Sequence, residues 1–188
     1  MLPSFLRTVS SARYLLAGSL LLSSGALLTA CNDSGIDIDA LNAQALLRQK
    51  QVRTADSLAI TKYIADSSFT TARRQPSGLY IITKTPGTGN LPTAGQQASV
   101  VYKGSLISNN QVFDKSRIGA DGQPVPFVYR VGGGQVITGW ELGIAQMRKG
   151  EKAILLMPSE LAYGPAGANG VIPPDAPLRF DVELTNIQ

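Results

Sequence analysis

The sequence predicts an α+β protein, a curved antiparallel β-sheet wrapped around one short α-helix and preceded by a separate helical segment. Three observations carry this. Residues 40–66 contain no Gly or Pro and are rich in Ala, Leu, Gln, Lys and Arg, whereas from Ser77 onward Gly and Pro punctuate every gap. Within 178–187, Phe180, Val182 and Leu184 alternate with Arg179, Asp181 and Glu183, the period of two of a half-buried antiparallel strand. A single short helical stretch, opening at Thr138, interrupts the β-rich region.

In chain order, residues 1–30 read as a secretory leader. Arg7 and Arg13 are the only charges before Asp33, and an apolar run through Leu20, Leu21, Leu22, Leu27 and Leu28 follows them. The run closes on Leu28-Thr29-Ala30-Cys31, which resembles the bacterial lipobox. That resemblance implies cleavage before Cys31, lipidation of its sulfur and an extracytoplasmic chain anchored to a bacterial membrane, on its periplasmic or surface face. The competing readings are an uncleaved anchor or a chance cysteine, but the run from Tyr14 to Ala30 is short for the ~20 residues of a span. Residues 31–39 then form a lipidated tether.

Residues 40–66 predict one moderately amphipathic helix, with Leu41, Ala45, Val52, Ala55 and Ala59 near helical spacing, Leu46, Leu58 and Ile64 broadening the stripe, and an interruption near Ser57. As a functional element it is a spacer or a homodimerisation arm; as a structural one it packs on its own domain, the reading slightly favoured. Residues 67–76 are a polar linker, and 77–188 form the β-rich domain. Strands are expected at 79–83, 98–106, 127–131, 153–157 and 178–187. Thr138-Gly139-Trp140-Glu141 has the spacing of a capping box, and Lys149-Gly150 is the expected helix end.

Composition excludes several chemistries. The chain has no histidine, so Ser-His-Asp and Cys-His catalysis and histidine-ligated zinc are ruled out. Its one cysteine leaves no internal disulfide, CxxC pair or cysteine-rich metal site, and neither a metal nor a cofactor is expected. A net charge of +4 comes without a clustered basic stripe, so nucleic acid is not an expected partner. Gly132-Gly133-Gly134 matches no nucleotide-loop spacing and reads as a turn. Asp181 and Glu183 read as the solvated face of an edge-like strand rather than an acid/base pair.

The ordered run Val100-Val101-Tyr102-Lys103-Gly104, Val112-Phe113-Asp114-Lys115-Ser116, Val136-Ile137-Thr138-Gly139-Trp140-Glu141, Gly150-Glu151-Lys152-Ala153, Leu161-Ala162-Tyr163-Gly164 and Ile172-Pro173-Pro174-Asp175-Ala176, followed by Phe180-Asp181-Val182-Glu183-Leu184, resembles the FK506-binding-protein family of prolyl isomerases over residues 77–188. Taken singly, a Trp, Phe or Ile in such a domain is more often core than pocket; the combined pattern reverses that. The resemblance implies a pocket formed by Tyr102, Phe113, Phe127, Val136, Ile137, Tyr163, Ile172 and Phe180 over a Trp140 floor. Asp114 would sit at the rim and Val171 with Ile172 on a loop above. It further implies that the Ile137 amide and the Tyr163 hydroxyl donate to bound peptide or inhibitor. The chain departs from the family in the extra residues 118–126, where Arg117 is the nearest basic candidate to pair with Asp114, and in the small Ala168 and Asn169.

These residue types suit rotation about an X-Pro bond, which resonance opposes with a barrier of ~18–20 kcal/mol. Rotation breaks the conjugation, so the transition state is less polar than the planar amide and favours a dry aromatic pocket with a few fixed donors. No nucleophile, metal or base is needed. The expected partners are proline-containing polypeptides, with FK506-like macrolides as inhibitors; the alternative function is a non-catalytic module that holds proline segments as a chaperone or scaffold.

Overall fold

The structure, a computed structural model, describes residues 37–168 and 170–188. The expected leader, Cys31 and most of the tether lie outside these residues. Helix α1 (Ile38–Asp66) opens where the Asp37 carboxylate accepts the Ala40 amide at 2.9 Å, a side-chain N-cap. With no Gly or Pro in its path, it runs unbroken through Ser57, against the expected interruption.

Seven strands follow: β1 (Arg73–Arg74), β2 (Tyr80–Thr85), β3 (Gln97–Leu106), β4 (Val112–Lys115), β5 (Phe127–Arg130), β6 (Lys152–Met157) and β7 (Leu178–Ile187). They form one antiparallel sheet in the order β1-β2-β6-β7-β3-β4, with β5 also on β3. The expected linker therefore ends in a strand, Arg73 and Arg74 pairing with Ile81 and Tyr80. Strand β7 is central, flanked by β6 and β3, not edge-like. Its outward carboxylates meet cations on neighbouring strands, Asp181 near Lys103 at 3.8 Å and Glu183 near Lys152 at 3.1 Å, so solvation alone is not what accommodates them.

The sheet buries both faces along part of its width. Toward the short helix α2 (Thr138–Ile144) point Leu79, Ile81, Ala153, Leu155, Met157 and the alternating Leu178, Phe180, Val182 and Leu184. On the other face Tyr80, Ile82, Ile154 and Leu156 receive Ile60 of α1, with Tyr63, Ile64 and Phe69 around it. Strands covered on both sides read as continuous apolar runs, which is why 153–157 shows no alternation. Ile60 is 1% exposed, and burying such a side chain contributes roughly 1.5–3 kcal/mol. The packed stripe of α1 is Val52, Asp56, Ala59, Ile60, Tyr63 and Ile64; Leu41, Leu46, Ala55 and Leu58, counted into the expected stripe, are exposed. Helix and sheet belong to one compact unit, residues 37–188. Among the described residues no helix is long and apolar enough to cross a membrane.

Helix α2 lies close on the sheet because two of its residues have no Cβ. A Cβ on Gly139 would come within 2.5 Å of the Met157 sulfur, and one on Gly143 within 2.7 Å of Leu155. The helix stops at Ile144, short of Lys149-Gly150. Its expected capping box is absent: Ile137 is the N-cap, with no side-chain cap bond.

Candidate active site

Strand β3 assembles the pocket by pairing with two strands along the same edge. Its first half runs against β5, Val100 opposite Phe127, and its second against β4, Gly104 opposite Asp114. The excursion between them, residues 116–126, is held as a compact loop by Val125 donating to the Arg117 carbonyl at 2.8 Å and Gly119 donating to Gln123 at 2.8 Å. This geometry sets Phe113 and Phe127 on either side of Tyr102. Phe180 enters from β7 and Trp140 from the first turn of α2.

The resulting cavity, about 420 Å³, is lined by Tyr102, Phe113, Asp114, Phe127, Trp140 and Phe180, with Gly134, Gln135, Val136, Ile137 and Tyr163 completing it. Its size falls in the range of small-ligand sites. Trp140, 4% exposed, is the floor. Three rings stand edge-on to it, Tyr102 at a centroid distance of 5.1 Å, Phe180 at 5.4 Å and Phe127 at 6.2 Å. Phe113 meets Phe180 edge-on at 5.5 Å. Edge-to-face pairs fix ring orientation as well as burying area, so the walls are set before anything binds.

Polar groups sit at the rim. The Tyr102 hydroxyl donates to the Asp114 carboxylate at 2.7 Å, and the Lys115 amide donates to its other oxygen at 2.8 Å. Burial, with the Asp114 bond and charge adding to it, pushes the Tyr102 phenol up to about 12. Burial and the Asp114 charge likewise raise Tyr163. Both hydroxyls thus stay protonated at neutral pH and remain donors. Among the described residues the Ile137 amide gives its hydrogen to no protein acceptor, nor does the Tyr163 hydroxyl. The buried Trp140 Nε1 and Tyr129 hydroxyl are also without partners. Arg117 forms no ion pair with Asp114 among the described residues; the carboxylate is held by Tyr102 instead.

Most expected site residues converge: Tyr102, Phe113, Asp114, Phe127, Val136, Ile137, Trp140, Tyr163 and Phe180 share the cavity. Val171 and Ile172 do not line it. Ile172 is 5% exposed and packs in the core, its amide and carbonyl both bonded to Ala168, while Val171 points outward on the same loop. Gly134 and Gln135 line the cavity and were not expected to. The three-glycine turn supplies them: Gly132 and Gly134 adopt φ of 73° and 65°, where a Cβ is disfavoured. Its shape is held by Glu141, whose carboxylate accepts the Gly132 amide at 2.8 Å and the Gly134 amide at 3.1 Å. Glu141 therefore caps the pocket-lining turn rather than its own helix.

The site is an aromatic cavity on an antiparallel sheet closed over a short helix, with the Asp114 carboxylate bound by Tyr102 at its rim and a free amide at Ile137 among the described residues. Residues 89–185 match the family model FKBP_C, FKBP-type peptidyl-prolyl cis-trans isomerase. That is just over half of the chain, which belongs to this enzyme family. FK506-binding protein 2 of Candida glabrata is 54% identical over 93 residues, covering 50% of this chain and 65% of that protein. Fkbp12 of Drosophila melanogaster, a peptidyl-prolyl cis-trans isomerase, is 39% identical over 112 residues, covering 59% of this chain and 99% of that one. The chain spans less than two thirds of some relatives, 25% of FKBP53 of Arabidopsis thaliana among them. Among solved structures, a peptidyl-prolyl cis-trans isomerase from Pseudomonas syringae superposes with a TM-score of 0.62 at 30% identity, over 74% of this chain and 95% of that one. FkpA from Escherichia coli does so at 0.58 and 30%, over 80% of this chain and 69% of that one.

Proposed function

We propose that this chain isomerises X-Pro bonds in polypeptides that fold outside the cytoplasm, tethered to a bacterial membrane by a lipid on Cys31. The observation that carries the catalytic part is the cavity itself. The prolyl ring enters over Trp140 between Tyr102, Phe127 and Phe180, exchanging water for aromatic walls. The Ile137 amide and Tyr163 hydroxyl hold the flanking carbonyls. As the C–N bond turns, its resonance is lost and the twisted amide sheds charge separation, so the apolar walls favour it over the planar ground state. Nothing in this cycle requires a base, in keeping with a chain that lacks histidine. Uncatalysed, the step takes tens to hundreds of seconds, long enough to limit folding.

The setting is supported by the sequence alone: Arg7, Arg13, the apolar run and the single cysteine after Leu28-Thr29-Ala30. FK506-like macrolides are the expected inhibitors, because they offer the same ring and carbonyl pattern. The exposed Leu46, Leu47 and Leu58 support a second copy as a partner of α1. A module that holds proline segments without turnover would use the same walls, and turnover separates the two.

The test is relaxation of an Ala-Leu-Pro-Phe peptide from cis to trans with the full chain in detergent, with and without FK506. Acceleration abolished by FK506 and by Phe180→Ala in a folded variant is expected. No acceleration by a folded wild-type chain would leave only the holding role.

A further inference from the structure

The isomerase-family match begins at residue 89, so α1 lies outside it, yet α1 is bonded to the segment that carries Tyr163. Asp56, 3% exposed on the packed stripe of α1, accepts both the amide and the hydroxyl of Ser159 on one carboxylate oxygen, each at 2.7 Å. Ser159 is 1% exposed and opens a 3-10 turn, Ser159–Leu161. Leu161 and Ala162 close that turn on Pro158 and Ser159, and Tyr163 is the N-cap of the next, Gly164–Ala166. On the N-terminal side of Asp56, α1 adds two ion pairs to the same region: Arg53 to Glu160 at 2.7 Å and Arg48 to Asp175 at 2.5 Å. These are half-exposed and weak singly. The Asp175 amide in turn bonds the Gly164 carbonyl at 2.9 Å.

A buried carboxylate is costly unless its bonds are made, so its partner is held to one geometry. The Tyr163 hydroxyl, by contrast, has no protein acceptor among the described residues and its ring is 39% exposed. Its aim is therefore set by the backbone beneath it, and that backbone starts at Ser159. We propose that α1 is a positioning element of the proline pocket: Asp56 clamps Ser159 and so fixes the turn from which Tyr163 reaches the cavity. Asp56 touches no substrate; it acts through Tyr163. This rests on the isomerase reading of the pocket.

The test is a double-mutant cycle in the full chain: Asp56→Ala, Tyr163→Phe and the two combined, with Asp56→Asn as the conservative variant. Misplacement of a reacting group by about 1 Å can cost on the order of 100-fold. A loosened turn should then lower kcat/KM for the prolyl peptide by roughly tenfold in D56A, at a temperature where the variant is folded. D56N, which keeps an oxygen acceptor, should recover most of that loss. In the Y163F background D56A should cost little more, because its effect passes through the missing hydroxyl. Losses that multiply, or a D56A that lowers Tm with kcat/KM intact, overturn the proposal. Should D56A fail to fold, Ser159→Ala removes only the hydroxyl contact, and hydrogen exchange at the Leu161, Ala162 and Gly167 amides reports the turn. Faster exchange there with the Ile154–Leu156 amides unchanged is expected; equal exchange refutes the clamp. That measurement needs no activity, so an inactive wild-type chain would sink the isomerase reading while leaving the clamp decided separately.

Discussion

Replacing Gly104 with Ala should damage the pocket through a single methyl group. Gly104 lies in β3 opposite Asp114 on β4 and Phe180 on β7. A Cβ built there falls 2.6 Å from Phe113 Cζ, 2.7 Å from its Cε2 and 2.8 Å from Phe180 Cε1. Carbon pairs settle at about 3.5–4.0 Å, so the rings must retreat by about 1 Å. Phe113, half-buried at the cavity edge, can swing outward, but Phe180 is 3% exposed between Phe113, Tyr102 and Trp140 and has no room. Overpacking of this kind costs about 1–3 kcal/mol. Against this, Ala is about 0.5–1 kcal/mol better than Gly inside a strand. The net cost is then roughly 0–2.5 kcal/mol, a fall in Tm of up to roughly 10 °C at this chain length. The retreating rings are two walls of the prolyl pocket, so kcat/KM should fall more than stability implies, by on the order of tenfold. Thermal unfolding and the peptide relaxation assay read the two effects separately. A G104A chain with unchanged Tm and unchanged kcat/KM would show that the sheet does not need this gap, and the argument from ring contact would be wrong.

Two further predictions follow from the carboxylates. Glu141→Ala removes the acceptor of the Gly132 and Gly134 amides. The turn lining the pocket at Gly134 and Gln135 should loosen, raising KM severalfold and costing roughly 1–3 kcal/mol; unchanged KM and Tm would refute it. Asp56 titrates above the ordinary carboxylate range, chiefly because burial opposes its charge, with the Ser159 bonds pulling the other way and Asp175 and Glu160 adding to the rise. The folded state thus holds this proton more tightly than the unfolded chain does, so the stability the group contributes is fully present below about pH 3.9 and is lost as pH climbs through its folded value. The Tm difference between wild type and Asp56→Asn should drift across that window in the direction of a weaker wild type at higher pH. A difference independent of pH would mean that Asp56 is ionised throughout.

The pocket was legible in the sequence because its parts are motifs of fixed order. Aromatic residues at 102, 113, 127 and 180 meet because β3 pairs with β4, β5 and β7, Trp140 joins them from α2, and the alternation of 178–184 already showed which side chains share a face. Local spacing misled where a partner from elsewhere won. Thr138 and Glu141 have the capping distance, yet Glu141 turns to two glycine amides that only the fold brings within reach. The stripe on α1 was only partly placed: Val52, Ala59 and Ile64 pack as expected, but the two buried residues are Ile60 and Asp56, and a carboxylate is scored as solvent-facing. Ser159, over a hundred positions away, gives it a reason to be inside, and no local pattern announces that pair. Ile172 was assigned to the pocket by position in a motif, but the Ala168 bonds turn it into the core.

These corrections point one way. The expected residues that share the cavity are those carried by the ordered motifs, where each side chain's own shape counts and identity and order suffice. Two residues whose partners no local pattern showed hold turns in place: Glu141 the turn before α2, and Asp56 the turn before Tyr163. Both do so with a carboxylate accepting two donors, which fixes backbone geometry more tightly than apolar contact because both hydrogen-bond directions must be met. The two donors left without a protein acceptor among the described residues, the Ile137 amide and the Tyr163 hydroxyl, are carried on turns rather than on the sheet. Support for those turns is thus where stability and catalysis are coupled in this chain. It is also where substitutions outside the cavity should be felt most in turnover.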